Sequence, residues 1–498
     1  MSDDKLDQSQ SPQPSQQLTA PPDPRRWKVL ALLGTAFFMV ILDATIVLTA
    51  IPAMQRELEF TVAQVQWVLT GYAITFGGLL LFFGRVADLI GRRRVFLAGT
   101  ALFVLSSLVC GIAWTGELLI WARAAQGISA AIMAPTALAI VISMFRDPAE
   151  RNQALGIWGG LGGIGATAGL LLGGVITSGL GWQWIFYLNV PVGIAIFLLV
   201  PVLIRESRDS AQTSGVRRFD VPGAVAITGA LLLLIYTLTN APEDGWVSGT
   251  TVARFAGVVA LLGLFLLIEY RSAAPLVPLR IFRLRTLVTG NLVILAVGLS
   301  VDGMLFPLTL YAQDVLGYSA LQFGLASAVM SVMSIAGAMA GQAAVARLGL
   351  RPVAVAALLL VAIGSLLLVS VPTDGTFLGD LFWGLLIFGP GLGAAFVASQ
   401  IAALDGVAEQ ESGLAAGLVD TSFNIGSALG IAIVTSVAVS TAAGATGGAE
   451  TALTEGVQAG FLVAAVFAGL GVLAAFFLPG LPKASANLES IASKGLLQ

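Results

Sequence analysis

The chain carries about fourteen apolar runs, each close to the roughly 20 residues an α-helix needs to cross a bilayer. They fall at roughly 29–50, 65–84, 95–114, 118–143, 154–178, 184–204, 221–239, 252–270, 286–312, 318–345, 352–372, 376–404, 412–440 and 456–479. Runs this long, rich in Ala, Gly and Leu and without period-2 alternation, are helices rather than strands. Only 11% of the residues are charged, against roughly 25% in soluble domains. The expected fold class is an all-α polytopic membrane protein with fourteen transmembrane helices.

Composition also excludes several chemistries. The chain has no histidine and one cysteine, Cys110, which lies inside an apolar run. Histidine-based metal sites, Ser-His and Cys-His catalysis, histidine proton relays and an intrachain disulfide are therefore not expected. Four lysines occur and none follows a glycine, so no Walker A phosphate loop is present. No cofactor and no metal site is expected. The net charge of -3 gives no reason to expect a nucleic-acid partner.

The positions of the charges give the topology. With the N-terminus inside, 22 of the 25 Lys and Arg residues fall on inner segments, which predicts both termini in the cytoplasm. Gly84–Arg94, reading GRVADLIGRRR, places five charges on a short loop between two apolar runs. The second half has a fainter copy, Arg347-Leu-Gly-Leu-Arg351, after its own second helix. The expected organisation is a disordered cytoplasmic tail (1–27), a six-helix bundle (28–204), basic linkers with two inserted helices (205–285), a second six-helix bundle (286–480) and a cytoplasmic tail (481–498). Tandem bundles of this kind suit a rocking transporter with its site between the repeats.

Gly84-x3-Asp88-x2-Gly91-Arg92-Arg93 resembles the helix 2–3 loop signature of the major facilitator superfamily. Leu42-Asp43-Ala-Thr45-Ile-Val47 with Ile51-Pro52 resembles the first-helix motif of its fourteen-helix drug:proton antiporter branch, the EmrB/QacA type. Arg123-x2-Gln126-Gly127, Trp184-Ile-Phe186-Tyr-Leu-Asn189-Val-Pro191-Val-Gly193 and Pro275-Leu-Val-Pro278-Leu-Arg280-Ile-Phe282 are similar to further motifs of that branch. The match spans nearly the whole chain after the tail. It departs in helix 5, where the branch has Gly-Pro before a Gly-Gly pair and this chain has Gly169-Leu170 before Gly173-Gly174. Those three glycines remain candidates for close helix packing. The resemblance implies a major facilitator fold and a proton-coupled multidrug efflux antiporter driven by the proton gradient. It also implies a bacterial plasma membrane location.

Four charged residues lie well inside the spans: Asp43, Arg123, Asp302 and Asp420. Each costs roughly 2.5–3.5 kcal/mol or more at the bilayer centre, so each calls for a partner or a function. A carboxylate in such surroundings can take up and release protons. At about 1.5 Å per residue, Asp43 and Asp302 reach similar depths in equivalent helices, facing each other across the pseudo-twofold, and Arg123 reaches the level of Asp43. The expectation is that Asp43 carries the exchanged proton with Arg123 tuning it. Asp302 is expected as a second carboxylate, and Asp420 as a further candidate for proton coupling or a purely polar role.

The expected substrate wall is aromatic and apolar: Trp67, Tyr72, Phe76, Phe306, Tyr311 and Phe396. Trp114, Trp182 and Trp184 are expected as interfacial anchors. The resemblance gives Gly84, Asp88, Gly91, Arg92 and Arg93 a gating role. The expected partners are small hydrophobic or cationic substrates, protons and the lipid bilayer, with the protein a monomer. Movement of a lipid or acyl-chain molecule between leaflets is an alternative. A membrane-embedded enzyme is a distant one, since the sequence shows no nucleophile–base arrangement.

Overall fold

The computed structural model describes residues 24–145, 147–204, 220–272, 275, 279–407, 412–446 and 448–479. The tail 481–498, residues 1–23 of the tail 1–27 and all of the linker 205–219 lie outside the described residues. The helices are α1 (Arg26–Glu57), α2 (Val62–Ile90), α3 (Arg92–Gly111), α4 (Gly116–Met144), α5 (Pro148–Gly179), α6 (Gln183–Leu203), α7 (Val221–Asp244), α8 (Gly249–Arg271), α9 (Arg285–Val315), α10 (Ala320–Leu348), α11 (Leu350–Leu367), α12 (Phe377–Leu404), α13 (Ser412–Gly444) and α14 (Ala449–Ala475). Among the described residues, twelve helices are long and apolar enough to cross a membrane. Of the other two, α2 runs for 29 residues and α7 holds a shorter apolar stretch, Pro222–Leu238. The protein is a multi-pass membrane protein.

The helices pack as two copies of one scheme. α1 lies on α4, α5 and α6, as α9 lies on α12, α13 and α14. α2 pairs with α4 as α10 pairs with α12, and α3 touches α4 and α6 as α11 touches α12 and α14. Individual residues repeat the scheme. α2 opens on a capping box, Thr61 with Gln64, and α10 on another, Ser319 with Gln322; each satisfies two otherwise orphaned N–H groups. α2 ends at Gly91 and α10 at Gly349, with φ of +117° and +86°, values that favour glycine. α4 contains Pro135 and α12 contains Pro390.

Glycine pairs four residues apart bring the innermost helices together. A Cβ at Gly169 would lie 2.9 Å from Leu42 O of α1, and one at Gly173 would lie 2.7 Å from Ile46 O. In the second bundle, a Cβ at Gly426 or Gly430 of α13 would lie 2.3 Å from Leu295 O or Leu299 O of α9. Small residues at this spacing let backbones pack against one another where lipid supplies no hydrophobic drive.

Two extensive contacts join the bundles, α2 with α13 and α5 with α10, and the end of α1 adds smaller ones to α9 and α10. At the face where α1 ends, the bundles are clasped. Arg56 pairs with Asp314 at 3.1 Å, Gln313 Nε2 donates to Thr49 O at 3.0 Å, and Leu321 N donates to Ser178 Oγ at 3.1 Å. There α1 breaks into a 3-10 turn, Val47–Ala50, before Pro52, whose missing N–H cannot continue the ladder. α7 fills the α2–α13 seam, with Thr228 Oγ1 donating to Gly78 O and Ser436 Oγ to Leu238 O. α8 packs mainly on α7.

Candidate functional site

The polar centre of the first bundle forms because α2 and α4 approach closely. A Cβ at Gly127 would lie 2.4 Å from Tyr72 O, and Thr75 Oγ1 donates to Ala124 O at 3.0 Å. That approach lets Arg123 reach across: its Nε donates to Val68 O at 3.0 Å, and its guanidinium carbon lies 4.3 Å from the Tyr72 ring centroid. Nη1 then meets Asp43 Oδ2 of α1 at 2.6 Å. Both side chains are 0% exposed.

The remaining lone pairs are taken by amides. Asn189 of α6 donates Nδ2 to Asp43 Oδ1 at 2.6 Å, and Gln126 donates Nε2 to the same oxygen at 3.2 Å. Gln126 Oε1 accepts from Arg123 Nη1 at 2.8 Å and from Cys110 Sγ at 3.3 Å, while its Nε2 also donates to Ser107 Oγ at 2.8 Å. The Tyr72 hydroxyl donates to Val40 O. Five helices thus converge on one carboxylate. An ion pair this deep is tolerated only with such added hydrogen bonds, because desolvation costs several kcal/mol per ion.

The expected pairing of Asp43 with Arg123 is present. Asp43 and Asp302 have separate sets of partners. Asp302 accepts from Ser427 Oγ on α13. Since α13 corresponds to α5, Asp302 turns toward one neighbour of the pseudo-symmetric scheme and Asp43 toward others, and no described hydrogen bond or ion pair joins them. Asp420 Oδ1 lies 3.5 Å from Gln400 Nε2. The described hydrogen-bond partner of its carboxyl group is thus a neutral amide, while Asn424 Nδ2 donates to its backbone carbonyl.

The six aromatic residues fall in three separate clusters. Tyr72 serves Arg123, and Phe76 sits beside it at 5.9 Å in the first bundle's core. Trp67 packs in the seam with α7 and α13. Phe306 and Tyr311 are buried in the core, with the Tyr311 hydroxyl donating to Pro372 O. Phe396 meets Phe423 edge-on at 5.8 Å. Phe306 also lines a pocket of about 60 Å³ with Val62, Pro307, Leu310 and Thr435. Trp182, expected at the interface, is 1% exposed and donates Nε1 to Glu57 at 2.7 Å. Its ring is buried and its N–H is taken by the carboxylate of the exposed Glu57 at the end of α1. Trp114 and Trp184 are exposed.

The expected Gly84–Arg94 loop is helical but for Gly91, which makes the positive-φ turn between α2 and α3, and Arg92, opening α3, donates Nη1 to Ala139 O of α4 at 3.2 Å. A Cβ at Gly84 would be in ordinary contact with Pro135 at 3.5 Å. Arg93 is half-buried, and the Asp88 side chain lies outside the described ones. A Cβ at Gly174 would lie 2.5 Å from Ala320 O of α10, so this glycine serves the contact between bundles. Sequence reasoning passed over Ser107 and Cys110 and gave Gln126 and Asn189 no role. Their signal was an amide or hydroxyl inside an apolar helix, weaker than a charge.

This fold and site define a transporter class. Residues 33–431 match the family model of the Major Facilitator Superfamily, and the chain belongs to that family. It is 36% identical over 458 residues to the puromycin resistance protein pur8 of Streptomyces alboniger, covering 91% of this chain and 90% of that one. It is 35% identical over 410 residues to the cephamycin export protein CmcT of Amycolatopsis lactamdurans, covering 82% and 84%. The fold is shared with the crystal structure of a bacterial homolog of the human lysosomal transporter Spinster in an inward-facing, unoccupied conformation. That likeness has a TM-score of 0.63 at 16% identity and covers 92% of this chain and 98% of the other.

Proposed function

We propose that this protein is a proton-coupled antiporter that exports amphipathic compounds, cationic or neutral and hydrophobic, antibiotics among them. It works by alternating access in a bacterial plasma membrane. All fourteen helices cross the bilayer, as in the EmrB/QacA type. On this reading the basic face where α1 begins is cytoplasmic and the clasped face is the outer one. The names of the relatives, resistance and export proteins for puromycin and cephamycin, support the substrate class.

The observation that carries the coupling is the Asp43–Arg123 pair, 0% exposed and 2.6 Å apart. A fully buried ion pair is costly unless it works. The driving force is adequate: one charge moving through 100 mV releases roughly 2.3 kcal/mol, about a fifty-fold gradient of a neutral substrate. Asp302 and Asp420 are second carboxylates for a proton or a cationic substrate, and Gly84, Asp88, Gly91, Arg92 and Arg93 form the cytoplasmic gate. The test is Asp43→Asn in inverted vesicles. Gradient-driven drug accumulation is expected to vanish while drug binding persists. Accumulation at the wild-type rate, collapsed by a protonophore as before, would overturn the assignment.

A further inference from the structure

We propose that Asn189 is a positioning residue that follows the protonation state of Asp43. Its amide donates to the carboxylate and, turned over, accepts from the carboxylic acid. This rests on the proton-coupled reading and deepens it.

The three side chains on Asp43 all donate to it: Arg123 and Asn189 at 2.6 Å, Gln126 at 3.2 Å. That set suits an anion. Once a proton sits on the carboxyl group, the group becomes a donor and must find an acceptor. Arg123 has none to offer. Gln126 can accept only by giving up its bonds from Arg123 and Cys110 and its bond to Ser107. Asn189 is different. It is 1% exposed, and its Oδ1 has no hydrogen-bond partner. Half a turn about its last torsion exchanges Nδ2 for Oδ1 and disturbs one contact.

Other titratable groups around Asp43 are already committed. Tyr72 of α2 donates to Val40 O and offers its ring to Arg123, and Cys110 of α3 donates to Gln126. α5 meets α1 here through Gly169. The step balances simply. A proton from water forms an O–H bond on Asp43 Oδ1. The N–H···O contact from Asn189 breaks, and an O–H···O contact to Asn189 Oδ1 replaces it. Arg123 stays on Oδ2, and α6 stays tied to α1 in both states. The arrangement in the structure, with three donors on the carboxyl group, is the one the deprotonated state requires.

The test is infrared difference spectroscopy on the full-length protein in nanodiscs, with isotope-labelled asparagine side chains, between about pH 8 and about pH 5. Acidification is expected to produce a carboxylic-acid band that disappears in Asp43→Asn. A labelled-amide shift is expected with it, lost in both Asp43→Asn and Asn189→Leu. In Asn189→Leu the acid band moves to higher wavenumber, and gradient-driven efflux falls about tenfold, the equivalent of one lost hydrogen bond. Asn189→Ser, whose hydroxyl donates or accepts, keeps more efflux than Asn189→Leu and assigns the amide band if the leucine variant does not fold. An Asp43 band with no amide shift overturns the role of Asn189 and leaves proton coupling standing. Absence of any Asp43 band overturns both.

Discussion

The two bundles share caps, glycine pairs and prolines in equivalent helices, yet among the described residues a fully buried ion pair is seen in the first. In the first, Asp43 has a guanidinium and two amides on it. In the second, Asp302 has the Ser427 hydroxyl and Asp420 has Gln400, while Ser300 Oγ simply donates to Ala464 O. The shared features govern how closely backbones pack. The charges obey no such repeat. A duplicated scaffold can therefore keep the same close backbone packing in both halves while a paired buried charge sits in one.

The comparison can be broken most sharply at Arg123. Arg123→Ala leaves Asp43 buried without a counter-charge, and a loss of about 3–5 kcal/mol is expected, read as thermal unfolding of the purified protein. Unfolding at the wild-type temperature would mean that the first bundle does not depend on its pair. Gly169→Ala comes next. Its Cβ would lie 2.0 Å from Thr45 Oγ1, and overpacking of this kind costs about 1–3 kcal/mol. Gly160→Ala on the same helix meets nothing within 4 Å and should be neutral or stabilise by up to about 1 kcal/mol.

Asp302→Asn probes the other half. With a hydroxyl as its described partner, it should change stability by no more than about 1.5 kcal/mol. A loss like that of Arg123→Ala would show that the second bundle also leans on a charge. The smallest effect is expected for Arg56→Gln, since Arg56 is 66% exposed in its pair with Asp314. Under about 1 kcal/mol is expected, measured by the same unfolding assay at low salt.

The helices were legible because apolar length is a one-dimensional property. The Asp43–Arg123 pair was legible because a charge inside an apolar run is rare and depth along a helix follows from residue count. What remained hidden was direction around the helix axis. Asp43 and Asp302 matched in depth but turn to different neighbours. Tyr72 and Trp182 carried the right residue type for a cavity wall and a membrane anchor. One instead covers a guanidinium and the other reaches Glu57. Asn189 gave little warning, because a neutral amide in an apolar helix is not costly enough to announce a role. The missing proline after Gly169 left the α1–α5 contact intact, since Gly169 and Gly173 still admit α1.

Gly173 and Gly174 are consecutive, but they answer to different bundles. A Cβ at 173 would strike Ile46 O within its own bundle, and one at 174 would strike Ala320 O across the divide. In the alternating access proposed above, separation of the halves at the clasped face leaves the first contact in place and requires the second to open, within one peptide step. Bulk at 173 therefore bears on whether the protein assembles. Bulk at 174 bears on the lifetime of the closed state, and so on turnover: cycles per second can change there while the affinity for cargo stays the same.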